Sequence, residues 1–121
     1  MKDLIKKILK EETEEVLEIP GLHYFPDGID GLKNFIQKKN ITRWSLDDDL
    51  NLSWYEGDLS FLDGLVSIKG NLDFYGSPIK SLRNLKHVGG YLWLNKFLSE
   101  KYTDKEIRSM INVDGEIFRP W

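Results

Sequence analysis

A chain of 121 residues with a formal charge of −3 is long enough for one domain with its own core. Its 40% apolar and 31% charged residues argue against disorder, and the acidic balance gives no overall attraction for nucleic acid or an anionic membrane. The lack of cysteine excludes disulfides, thiolate zinc sites and cysteine nucleophiles, and a cytoplasmic location is expected. No apolar run approaches the about 20 residues of a membrane span, and the beginning lacks the pattern of a secretory signal.

The opening "MKDLIKKILKEETEEVLE" places Leu4, Ile5, Ile8 and Leu9 on one face, with Val16 and Leu17 further on. The spacing predicts an amphipathic helix within residues 1–19, stopped by Ile19-Pro20-Gly21. Its expected role is to cap the apolar end of a repeat array formed by the rest of the chain. Glu11, Glu12, Glu14, Glu15 and Glu18 offset its lysines, so membrane attachment is not expected.

Residues 20–45 read as a capping, incomplete first unit of that array. "FPDG" at Phe25–Gly28 is a proline-initiated turn. Leu32, Phe35 and Ile36 then make the buried face of a helix ending near Lys39-Asn40. Ile41 and Trp44 are expected to seal the core.

Residues 46–121 repeat. The segments "LDDDLNL", "IKGNLDF", "VGGYLWL" and "VDGEIFR" start at Leu46, Ile68, Val88 and Val113, at spacings of 22, 20 and 25. Their third position is Asp48, Gly70, Gly90 or Gly115, residues suited to a positive φ before a strand. Alternation then predicts half-buried strands with Leu50/Leu52, Leu72/Phe74, Leu92/Leu94 and Ile117 inward. Between strands, apolar residues fall every three positions: Leu59, Leu62 and Leu65; Ile79, Leu82 and Leu85; Ile107 and Met110. That spacing predicts short helical or 3₁₀ segments, the last opened by a capping box, Thr103 to Glu106. The predicted fold is α/β: a single domain over residues 1–121, built as a short solenoid with a parallel sheet.

The segment "PIKSLRNLKHVGGYLWL" resembles the L..L..VGG.L.L units of small bacteriophage and bacterial leucine-rich-repeat proteins. The likeness covers residues 46–118 and is specific over 68–94. It implies a right-handed coil with one parallel sheet and a protein-binding role, with no catalytic residues to carry over. It also implies a phage-encoded protein working in the host cytoplasm. The N-terminal stretch is similar to the helical tags of some capsid-packaged phage proteins, where cleavage comes after an apolar-x-Glu sequence such as Leu9-Lys10-Glu11. That likeness implies the alternative role, a capsid-associated or structural phage protein.

No enzyme is expected. His23 and His87 lack a neighbouring serine and acid in the sequence, and no nucleotide-binding or zinc-protease motif occurs. "DDDLNLSWYEGD" carries oxygen ligands at calcium-loop spacing, but Leu52 stands where that loop needs glycine. No cofactor or metal is therefore expected. The strand alternation instead turns Asn51, Ser53, Asp73, Tyr75, Trp93 and Asn95 outward, with Tyr91 and Phe118 beside them. These eight residues are the predicted partner-binding surface, and the predicted partner is a protein. Asp73 works against a nucleic-acid partner, although aromatic rings stack on bases.

Overall fold

The computed structural model describes residues 15–120, which form an α/β fold with two parallel sheets and three α-helices. The strands are β1 (Leu17–Ile19), β2 (Trp44–Leu46), β3 (Leu50–Asn51), β4 (Leu65–Ile68), β5 (Leu72–Asp73), β6 (His87–Val88), β7 (Leu92–Trp93), β8 (Asn112–Val113) and β9 (Ile117–Phe118). One sheet runs β1-β2-β4-β6-β8 and the other β3-β5-β7-β9. From β2 onward the chain gives a strand to the first sheet, turns a corner, and gives the next to the second.

The sequence echo is the register of these sheets. Leu46, Ile68, Val88 and Val113 pair in succession across the first sheet. Leu50, Leu72, Leu92 and Ile117 do so across the second. Leu46, Leu50, Ile68, Leu72, Val88 and Leu92 are fully buried, as are Leu52 and Leu94 at the ends of their segments. Phe74 is buried as well, whereas Ile117, on the last strand, is only half covered.

The sheet expected to be single is two because the corner is a true bend. Its third-position residues stack backbone on backbone. Gly70 N–H donates to Asp48 C=O at 3.3 Å, Gly90 to Gly70 at 2.9 Å, and Gly115 to Gly90 at 3.0 Å. The expected positive φ is absent there; among the described glycines only Gly28 and Gly76 have it. Glycine is needed for closeness instead. A Cβ on Gly70 would lie 2.8 Å from the carbonyl carbon of Asp48 and the amide nitrogen of Asp49.

The crossovers depart from the predicted helices in part. Ser60–Gly64 is a 3₁₀ turn, as the spacing of Leu59, Leu62 and Leu65 implies. Ile79, Leu82 and Leu85 are all buried, yet no helix forms. Pro78 precedes them and Arg83 has a φ of 55°, so this stretch runs extended through a turn. The last crossover holds two helices, α2 (Lys96–Lys101) and α3 (Asp104–Met110), which come after α1 (Ile29–Lys38) in the chain. Both halves of the Thr103–Glu106 capping box form. Ile107 is buried on α3 while Met110, predicted beside it, is 42% exposed. The inward residue is Ile111, one turn on from Ile107.

At the N-terminal side, Leu17–Ile19 is a strand rather than the end of a helix. It pairs residue for residue with Trp44–Leu46 and buries Ile19. Pairing along the otherwise open edge of β2 outweighs the helical pattern of its side chains. Leu4, Ile5, Ile8, Leu9 and the Leu9-Lys10-Glu11 sequence lie outside the described residues. Pro20 comes directly after β1, and no strand of the second sheet lies between β1 and β2. Helix α1 buries Leu32 and Ile36 in the core, and Phe35 packs on Phe25 at 5.5 Å between ring centroids. Trp44 is fully buried: its indole N–H donates to Phe61 C=O at 3.1 Å and its ring stacks on Phe61. No helix among the described residues is long and apolar enough to cross a membrane.

Candidate functional site

The second sheet presents its non-core side chains in rows set by the register. Asn51, Asp73, Trp93 and Phe118 pair in succession across β3, β5, β7 and β9. One outward step before them stand Asp49, Asn71, Tyr91 and Glu116; one step after stand Ser53 and Tyr75. Seven of the eight predicted surface residues therefore share this face.

The eighth, Asn95, does not. It is 3% exposed. Its Nδ2 donates to Ser77 C=O at 2.8 Å and Ile79 C=O at 2.6 Å, and its Oδ1 accepts from Leu98 N–H at 2.8 Å. The strand ends at Trp93 and the chain swings into α2, so alternation stops before residue 95. Asn95 is the N-cap of that helix.

The face divides by chemistry. Its early half is polar and internally hydrogen-bonded. Asp49 Oδ1 accepts from Asn71 N–H at 2.8 Å, and Asn71 Oδ1 accepts from Tyr91 N–H at 2.9 Å. Each side chain thus satisfies a backbone N–H just before the neighbouring strand. Asn51 and Asp73 instead hold their own strand ends, accepting from the N–H of Ser53 and Tyr75 respectively.

The later half is aromatic. Trp93 sits in the middle, 5.8 Å from Tyr75, 6.5 Å from Tyr91 and 5.1 Å from Phe118 between ring centroids. Tyr91 also meets Phe118 at 5.4 Å. Most of these contacts are edge-to-face, the arrangement that ring quadrupoles favour. Trp93 is half-buried by its neighbours, and its indole N–H is covered without an acceptor among the described residues. The open ends of the cluster are Phe118, 39% exposed, and Trp54, 68% exposed.

Trp54 is not among the predicted residues. It meets Tyr75 edge-on at 5.3 Å and lies over Gly76, where a Cβ would come within 2.5 Å of its ring. Its φ of 58° takes it off the strand alternation. The available signal is the pairing of an aromatic just past one strand with a glycine just past the next. Arg119, next to Phe118 in the chain, is engaged elsewhere. Its guanidinium bonds Asp104 at 2.6 Å and Ser99 C=O at 2.7 Å.

Comparison of the chain with family models, with curated proteins and with solved structures gave no match.

Polar side chains also gather at two other places. On the first sheet, His87 lies 3.5 Å from Ser67 Oγ through Nδ1 and 2.9 Å from Asp114 Oδ2 through Nε2. No local motif announces this grouping, because parallel stacking joins residues 20 and 27 positions away. The Ser67 contact is longer than the hydrogen bond that activates a nucleophile. Both His87 and Asp114 lie substantially in solvent.

Of the oxygens at calcium-loop spacing, those of Asn51 and Asp58 hold local turns: Asp58 Oδ1 accepts from Ser60 N–H at 3.0 Å, and that bond with the Ser60 hydroxyl's keeps the Asp58 carboxyl below its ordinary pKa. Among the described residues no group of three or more His, Cys, Asp or Glu side chains is placed to hold a metal. Nearby, Asp48 accepts from Leu22 N–H at 3.0 Å and from Asp49 N–H at 2.8 Å, bonds that lower its pKa. Burial first, and then the bond from its hydroxyl to Asp30, raise the pKa of Tyr55.

Proposed function

We propose that this chain is a short leucine-rich-repeat-like solenoid and a non-enzymatic interaction module that binds a protein through the outer face of its second sheet. The observation that carries the reading is the continuous run of Trp54, Tyr75, Trp93, Tyr91 and Phe118. Five rings from four successive coils touch in sequence on one side of the molecule. A core needs no such run with its ends in solvent, whereas aromatic anchors surrounded by polar groups are what protein interfaces use. Asn51, Ser53 and Asp73 supply that polar surround.

The test is affinity capture from the native host with wild type, with a Trp54→Ala/Phe118→Ala double variant, and with Phe97→Ala. Phe97 is an exposed ring on α2 and outside the cluster. The reading expects a partner that the double variant loses and the Phe97 variant keeps. Equal capture by all three places binding elsewhere.

A further inference from the structure

We infer that the partner segment seated on the aromatic face is cationic, an extended arginine-bearing stretch of protein; this rests on the binding reading above. The outward positions of β3, β5, β7 and β9 and their flanks carry three carboxylates, Asp49, Asp73 and Glu116, and no lysine or arginine. None of the three forms an ion pair among the described residues, where the pairs formed involve other groups. Asp49 and Asp73 each engage one oxygen with a backbone N–H and leave the other for a ligand. The guanidinium closest in sequence, Arg119, is already held by Asp104 and Ser99.

The charges flank the rings. Asp73 is the paired neighbour of Trp93, and Glu116 stands beside Tyr91 one coil on. A guanidinium over Trp93 or Phe118 gains a cation–π contact and reaches a carboxylate bidentately, which an ammonium does less well. Four strands at about 4.8 Å spacing span about 14 Å, the length of about four extended residues at ~3.3 Å each. An acidic or phosphate-bearing partner meets only like charge here.

Selection from a random linear-peptide display library, run in parallel on wild type, Asp73→Asn/Glu116→Gln and Phe118→Ala, tests this. Wild type is expected to enrich peptides rich in arginine. Their affinity should fall by about tenfold or more in the carboxylate variant and drop on raising the salt. Enrichment of neutral or acidic peptides that Phe118→Ala loses leaves the binding face standing and overturns the cationic partner. Arginine-rich peptides that bind the carboxylate variant as well as wild type overturn it too. Failure of wild type to enrich any peptide that Phe118→Ala loses overturns both. Thermal melts of the variants establish that loss of binding is not loss of fold.

Discussion

Trp93 and Phe118 are paired residues on neighbouring strands, with ring centroids 5.1 Å apart, yet one is half-buried and the other lies open to solvent. The difference separates two roles within one cluster. Trp93 is walled in by Tyr75, Tyr91 and Phe118 and packs between neighbouring strands; Phe118 closes the cluster at the edge strand β9.

Phe118→Ala is therefore expected to weaken partner binding by about 2 kcal/mol, near a 30-fold loss in affinity. Its effect on melting should be small. Trp93→Ala should weaken binding as well, but with a stability loss of about 3 kcal/mol or more, because it empties the centre of the cluster. Calorimetric titration beside thermal melts separates the two. Equal destabilisation by both variants would remove the distinction.

Leu85 is 5% exposed although its crossover is not helical. Leu85→Ala should cost about 2–5 kcal/mol, the range for deleting a buried leucine side chain. Urea denaturation measures it. A loss under about 0.5 kcal/mol, as at a surface site, would mean that the crossover is too loosely packed to contribute.

Leu46, Ile68, Val88 and Val113 are legible in the sequence as unit starts because parallel register makes equivalent residues neighbours. The burial of Leu82 and Leu85 is legible from spacing, but not their backbone, which Pro78 and the positive φ of Arg83 decide. The strand at Leu17–Ile19 is hidden because pairing with β2 is a long-range effect that no local pattern records. Asn95, predicted on the surface, is buried instead because alternation ends with β7 and a cap begins. Trp54 escapes prediction because its left-handed backbone breaks the period by which outward positions are counted.

Asn95 gives its own prediction. Asn95→Ala removes the cap of α2, worth about 1 kcal/mol, and leaves the buried acceptors Ser77 C=O and Ile79 C=O without their donor, a further cost of about 1–3 kcal/mol. Asn95→Asp should cost at least as much, since it keeps the acceptor for Leu98 N–H but sets a buried carboxylate oxygen against Ser77 C=O and Ile79 C=O. Chemical denaturation of the pair tests that order. An Asp variant as stable as wild type would show that the two donated bonds contribute nothing.

Gly70→Ala addresses the corner. The backbone of Asp48 and Asp49 leaves no room for a Cβ, so the two backbone segments must separate locally at a cost of about 1–3 kcal/mol. Gly28→Ala makes the contrast. Nothing lies within 4 Å of its Cβ position, and its penalty comes only from the φ of 63°. Amide exchange should therefore quicken at Gly70 and Gly90, whose N–H groups form the corner column, in Gly70→Ala and not in Gly28→Ala. Unchanged exchange at both positions would show that the corner yields without opening.

Asp48 sets an acid-sensitive contact with the Leu22–Tyr24 turn. Its carboxylate accepts from Leu22 N–H, the main cause of its lowered pKa, and from Asp49 N–H. A folded pKa below the unfolded value of about 3.9 means that the unfolded chain binds more protons in that range. The contribution of Asp48 is thus complete above about pH 5 and is lost as the pH falls through the folded pKa. Asp58 and Glu106 are lowered in the same direction and share the acid limb. Asp48→Asn cannot lose a charge on acidification, so its stability should fall less than that of wild type between pH 5 and about pH 2.5, while being lower at pH 7. Urea denaturation at the three pH values measures both effects. Parallel curves for variant and wild type would show that the Leu22 contact carries no net ionic stabilisation.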